Sequence, residues 1–121
     1  MTVTVYHNPA CGTSRNVVQH LRDSGIEPVI VEYLKMPPDR ATLKRLLARM
    51  GMTARELLRR RGTPYDEMGL DNPALTEDQL IDAMVKNPIL IERPIVATDH
   101  AAKLCRPADL VRELIATEAA R

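Results

Sequence analysis

The chain reads as one α/β domain: a mixed sheet of about four strands flanked by helices and interrupted by an all-helical insert. Three observations predict it. First, a β-branched run, a helical apolar pattern and a second β-branched run follow one another between Val3 and Tyr33, which makes a β-α-β unit with parallel strands. Second, residues 37–87 carry helix caps and helical apolar spacing. Third, two short apolar runs flank a polar tetrapeptide within 94–104, a hairpin pattern ahead of a last helix.

Taken in order, Val3-Thr4-Val5-Tyr6 is the first strand. Arg15 to Ser24 puts Val17, Val18 and Leu21 on one helical face, and Gly25 stops it. Pro28 to Tyr33 is the second strand. Pro37-Pro38-Asp39 punctuates the chain and can start a helix over 41–50, where Leu43, Leu46, Leu47 and Met50 share a face and Gly51 ends the run. Thr53 N-caps a short helix through Arg59, and Pro64 to Met68 suggests one more helical turn. Thr76-Glu77-Asp78-Gln79 is a capping box that opens a helix to Lys86, which Asn87-Pro88 ends. Ile89-Leu90-Ile91 follows as a further apolar run. Pro94 to Ala97 and Ala102 to Leu104 are short strands around Thr98-Asp99-His100-Ala101. Pro107 starts a final helix from Ala108 to about Ala116, with Leu110, Val111, Leu114 and Ile115 on one face. This order is the topology of a thioredoxin-like domain spanning 1–121, with its helical insert at about 37–87.

Composition narrows the function classes. A chain of 121 residues supports one core, and with no Phe or Trp and three Tyr that core comes from Leu, Ile, Val, Met and Ala. The scarcity of aromatics disfavours nucleic-acid binding by stacking, and a net charge of +1 does not suit a polyanion binder. No apolar run is long enough for a membrane span and no signal peptide is visible, so the expected location is the cytoplasm. There, Cys11 and Cys105 are expected as free thiols. His7, His20 and His100 do not combine with them in any metal-ligand spacing, so no metal is expected. Nothing suggests an obligate interface, and a monomer is the default.

The chemistry concentrates in His7-Asn8-Pro9-Ala10-Cys11-Gly12-Thr13-Ser14-Arg15-Asn16. A thiol just before a helix meets unpaired backbone N–H groups and the positive end of the helix dipole, which favour thiolate and also attract an anion. A nucleophile and an anion site at one place suggest attack on an oxyanion. The competing reading of Cys11 is a small buried hydrophobe. Ser14 stands where a dithiol oxidoreductase has its second cysteine, so any disulfide partner must be distant or come from another molecule. Val17 stands where a tyrosine-phosphatase loop has its arginine, so the cations must come from other segments. Arg59-Arg60-Arg61, Arg93 and Arg106 are the candidates, because planar guanidinium groups match tetrahedral oxyanions; the plain alternative is surface arginine. Pro94 lies where a thioredoxin-like fold places a cis proline beside its reactive cysteine. His7, as imidazolium, would stabilise a thiolate at Cys11; otherwise it caps the strand. Asn8 and Ser14 are expected to donate hydrogen bonds that order the loop, and Cys105 to be a buried structural thiol.

Together these residues resemble the glutaredoxin-coupled arsenate reductases of bacteria. The resemblance runs through the loop at 7–16, Leu57-Leu58-Arg59, Pro64-Tyr65 and Thr76 to Ile81, then Pro88 to Val96 and Leu104-Cys105-Arg106-Pro107. It implies that Cys11 attacks arsenate, that His7 helps hold the thiolate, and that Arg59, Arg93 and Arg106 bind the oxyanion and the covalent intermediate. It implies no bound cofactor, glutathione as co-substrate, glutaredoxin as partner, and arsenic detoxification as the outcome. Two other classes compete. A non-catalytic thioredoxin-like regulator of RNA polymerase typically carries Cys-x-x-Cys, which Ser14 breaks. A monothiol glutaredoxin-like carrier shares Cys-x-x-Ser but has no need of three arginines.

Overall fold

A computed structural model describes residues 1–121. Its four strands are β1 (Thr4–His7), β2 (Val29–Glu32), β3 (Ile95–Ala97) and β4 (Ala102–Leu104), in the sheet order β2-β1-β3-β4. β1 and β2 are parallel, with His7 opposite Glu32. A parallel pair needs a crossover, and α1 (Gly12–Asp23) supplies it. β3 is antiparallel to both β1 and β4, with Ile95 opposite Leu104 and Ala97 opposite Ala102. The Cys105 N–H donates to Pro94 O at 3.0 Å and carries the hairpin ladder one pair further. Because β3 is hydrogen-bonded on both edges, all three of its residues are apolar and buried. The arrangement is thioredoxin-like, as the order of elements predicts.

The chain divides into two compact units, one made of Met1–Met36 with Arg93–Arg121 and the other of Pro37–Glu92. In the first unit, Val17, Val18 and Leu21 of α1 share a core with Val3, Val5, Val96 and Cys105. Val111 and Leu114 join it from the last helix, α5 (Leu110–Ala119). These α1 and α5 residues are on the faces that the apolar spacing marks.

The second unit holds α2 (Arg40–Met50), α3 (Ala54–Leu57) and α4 (Glu77–Lys86), and both α2 and α3 pack on α4. Its caps follow from sequence. Asp39 accepts from the Thr42 N–H at 2.8 Å, and Gly51 ends α2 with φ 65°, a left-handed conformation that costs glycine little. Thr53 and Thr76 each complete a capping box, with Glu56 and Gln79 respectively.

Three details depart from the sequence reading. α1 begins at Gly12, so Cys11 itself is the N-cap residue. Residues 64–68 make the single turn that the sequence suggests, closed by Met68 N–H to Pro64 O at 2.9 Å, and beyond it Arg55 donates to the carbonyls of Leu70 and Asn72, both at 2.9 Å. A guanidinium thus satisfies backbone acceptors that a helix would otherwise pair. The insert is not all-helical and reaches Glu92, because a 3₁₀ turn at Pro88–Leu90 leads into a β-bridge between Leu58 and Ile91. α5 starts at Leu110, since Leu110, Val111 and Arg112 bond three residues back in a tight preceding turn.

Candidate active site

The loop from His7 to Cys11 is closed by its own short-range bonds. Asn8 O accepts from the Cys11 N–H at 2.9 Å, and Asn8 Oδ1 accepts from the Ala10 N–H at 3.0 Å. Arg15 Nη1 donates to Pro9 O at 2.8 Å. Ser14, fully buried in the first turn of α1, accepts from the Asn8 N–H at 3.1 Å. The loop is therefore ordered by Asn8 and Ser14, with both side-chain oxygens accepting from backbone N–H groups. The Asn8 side chain accepts, because the free donors here are the backbone N–H groups ahead of a helix.

Cys11 is partly exposed, with φ −94° and ψ 121°, the extended geometry of an N-cap. Its Sγ is 3.7 Å from Arg106 Nη1, and the same Nη1 donates to Arg93 O at 3.0 Å. Burial alone would raise the thiol's pKa. The Ser14 backbone N–H and the guanidinium groups of Arg93 and Arg106 outweigh it, and the thiol titrates below its ordinary value. Cys105 is the opposite case: burial, offset only in part by the Lys103 ammonium, pushes it up to about 12, which suits an inert core thiol.

The two arginines meet because of hairpin register. Extending the β3–β4 ladder by two pairs puts Arg93 opposite Arg106. Each arginine precedes a cis peptide, Arg93–Pro94 and Arg106–Pro107. The second of these is not evident from composition or spacing, although the repeated Arg-Pro is a signal. The opposition of the arginines was readable: both lie five residues outside the Thr98–Ala101 turn.

His7 differs from the sequence expectation. Its Nδ1 is 2.7 Å from Ser14 Oγ, and burial, the largest influence, holds its pKa below the ordinary histidine value despite the favourable Glu32 carboxylate. Burial therefore works against the imidazolium form that the sequence reading gives His7. Arg59 belongs to the second unit, where its Nη1 pairs with Glu92 Oε1 at 2.8 Å and its Nε donates to Arg61 O at 3.1 Å. The first unit thus brings together Cys11, His7, Asn8, Ser14, Arg93, Pro94 and Arg106.

A partly exposed thiol at a helix N-cap, held toward thiolate by two guanidinium groups, can attack an electrophilic oxyanion centre. The chain as a whole is similar to known proteins. An arsenate reductase of Rhizobium meliloti (strain 1021) is 50% identical over 115 residues, covering 95% of this chain and 82% of the relative. An arsenate reductase of Escherichia coli (strain K12) is 51% identical over 113 residues, covering 93% of this chain and 80% of the relative. The solved structure of an arsenate reductase from Vibrio cholerae superposes with a TM-score of 0.90 at 38% identity, covering 93% of this chain and 97% of that one. Residues 6–114, a span that holds the 7–16 loop and both Arg93 and Arg106, match the ArsC family, and the chain belongs to the ArsC family.

Proposed function

We propose that this protein reduces arsenate to arsenite, with Cys11 as the nucleophile and glutathione and glutaredoxin as the source of electrons. The observation that carries the reading is the Cys11 thiol at the α1 N-cap with Arg106 Nη1 3.7 Å from its sulfur. The thiolate attacks arsenic, an As–S bond forms, and one arsenate oxygen leaves as water after protonation. Arg93 and Arg106 offset the negative charge that would otherwise repel the thiolate, and their planar forks suit the remaining oxygens. Arg59 is the third cation of this proposal, on the strength of the resemblance.

Glutathione then bonds to arsenic through sulfur, its proton passing to a second arsenate oxygen, which leaves as water; the later hydrolysis consumes one water again. A glutaredoxin thiolate attacks that sulfur, and the S–As electron pair passes to arsenic, which falls from +5 to +3. The two outside thiols depart as a mixed disulfide. Hydrolysis of the Cys11–As bond releases arsenite and restores the thiol. The balance is one arsenate and two thiols to one arsenite, one disulfide and one water. With Ser14 in place of a second local cysteine, both electrons come from outside. Arsenic resistance is the role this activity would serve.

The test is arsenate-dependent NADPH oxidation in the presence of glutathione, glutaredoxin and glutathione reductase. The intact protein is expected to support it. Cys11→Ser is expected to abolish it, and Cys105→Ala to keep most of it. Oxidation no faster than in an arsenate-free control would sink the proposal. Equal loss in both variants would instead make Cys105 a resolving thiol.

A further inference from the structure

We infer that Arg15, standing over the bare surface of Gly12, binds the glycine carboxylate of the glutathione that completes the reaction at Cys11. The inference deepens the reading of Cys11 as the nucleophile of a glutathione-dependent reductase and rests on it. It starts from the direction of one side chain. The Arg15 N–H donates to Cys11 O at 3.0 Å, so Arg15 stands one helical turn beyond the nucleophile. Side chains of a helix lean toward its N-terminus, and this one folds back far enough for Nη1 to donate to Pro9 O at 2.8 Å. The guanidinium of an exposed residue is thereby held beside the loop that carries the sulfur.

Two features suit it to an incoming anion. Its acceptor is a neutral carbonyl, whereas Arg22, Arg59 and Arg60 each hold a carboxylate. An arginine on one carbonyl keeps its whole charge, and much of its fork, for a second acceptor. Gly12 lies beside that fork. Its φ is outside the left-handed region, so the backbone does not call for glycine. Beyond its own chain neighbours, a Cβ there would meet only Arg15 Nη2, at an ordinary 3.7 Å. Glycine also weakens a helix relative to alanine. What the missing side chain supplies is clearance beside the guanidinium, on the exposed first turn of α1. A thiol tripeptide that brings its sulfur to arsenic on Cys11 can lie along that turn. The γ-glutamyl carboxylate of glutathione sits beside an ammonium, which a guanidinium repels, and the glycine carboxylate is a lone negative charge. Arg93 and Arg106 then meet the oxyanion, and Arg15 meets the co-substrate.

Disulfide exchange tests this without arsenate. The Cys11 thiolate attacks one sulfur of glutathione disulfide, the S–S bond breaks, and one glutathione thiolate leaves. The readout is the rate of glutathionylation on the Cys11 peptide, followed by mass spectrometry. Two reagents are compared: glutathione disulfide, and its ethyl ester at both glycine carboxylates. The unmodified protein is expected to react about tenfold faster with the free acid, the worth of one charge-assisted hydrogen bond. Arg15→Gln is expected to bring that ratio below about threefold while leaving the ester rate within about twofold. A ratio near one in the unmodified protein, or a ratio that survives Arg15→Gln, overturns the inference. So does an equal loss with both reagents, which would report a change in the thiol or the fold. In arsenate turnover, Arg15→Gln is expected to raise KM for glutathione about tenfold and KM for arsenate less than about twofold. A rise in the arsenate KM alone would assign Arg15 to the oxyanion and overturn the inference too. Exchange needs no arsenate, so absent turnover with the expected exchange rates would count against the reductase reading alone.

Discussion

At Cys11 three effects act in the same direction. A helix N-cap, a backbone N–H and two guanidinium groups each favour thiolate modestly, and together they overcome the burial that would protonate it. Cys105, which is buried without such neighbours, is the internal control. Arg106 is the most exposed of these contributions to test. Lysine would keep its charge but not the fork whose Nη1 reaches both Arg93 O and Cys11 Sγ. Arg106→Lys is therefore expected to raise KM for arsenate by about tenfold, the loss of one charge-assisted hydrogen bond. Steady-state kinetics would show it, and an unchanged KM would mean that charge alone suffices. Cys11, Arg93 and Arg106 could be picked out in the sequence because their residue types leave few other uses. The state of His7 could not, since it depends on burial and on one hydroxyl seven residues away.

Caps and turns were the most legible features among the elements. Both capping boxes and the Asp39 cap form where the sequence puts them, because each bond joins residues three apart. The part that was misread depends on a distant partner: Ile91 finds Leu58 across the insert. α5 gives a similar lesson at its C-terminal end. It runs to Ala119, past the apolar stripe that ends near Ala116, and the extra turn is tied down by Glu118. This buried carboxylate accepts from His100 at 2.8 Å in the β3–β4 turn and pairs with Arg121 at 3.3 Å. The His100 hydrogen bond, foremost, lowers the Glu118 pKa. A depressed carboxylate pKa stabilises the fold above the unfolded value of about 4.3, and that contribution is lost as pH falls through the folded value. Glu118→Gln should thus lower Tm at pH 7, and the gap to the unmodified protein should close as pH drops below about 4. Thermal melts across that range would test it; a gap independent of pH would assign the effect to packing.

The whole molecule makes its first unit from the two ends of the chain. β1 and β2 come from one end and β3 and β4 from the other, with Pro37–Glu92 between them in sequence. β3 lies at an inner position in the sheet, so the early strands cannot stand alone. A chain cut after Glu92 would keep β1 and β2 as a two-stranded ribbon with α1, below the three strands that independent stability requires. Far-UV circular dichroism of such a truncation should show loss of the sheet and of any cooperative melt; a cooperative melt with strand signal retained would contradict it. The general fold was legible because the β-α-β pattern and the hairpin are local in sequence. The division into units was less so, since its boundary at residue 92 is set by pairing within the insert.

The hairpin register has a consequence beyond the sheet. Arg93 and Arg106 face each other only because the Thr98–Ala101 turn has its present length, so the turn works as a caliper set at the far end of the two strands. Insertion of a single residue there would touch no reacting atom. By offsetting the two arms, it would still dissolve the paired charge beside the sulfur. The spacing of the two cations is thus inherited from a turn remote from them, and a change in chain length at that turn becomes an error of charge beside the sulfur.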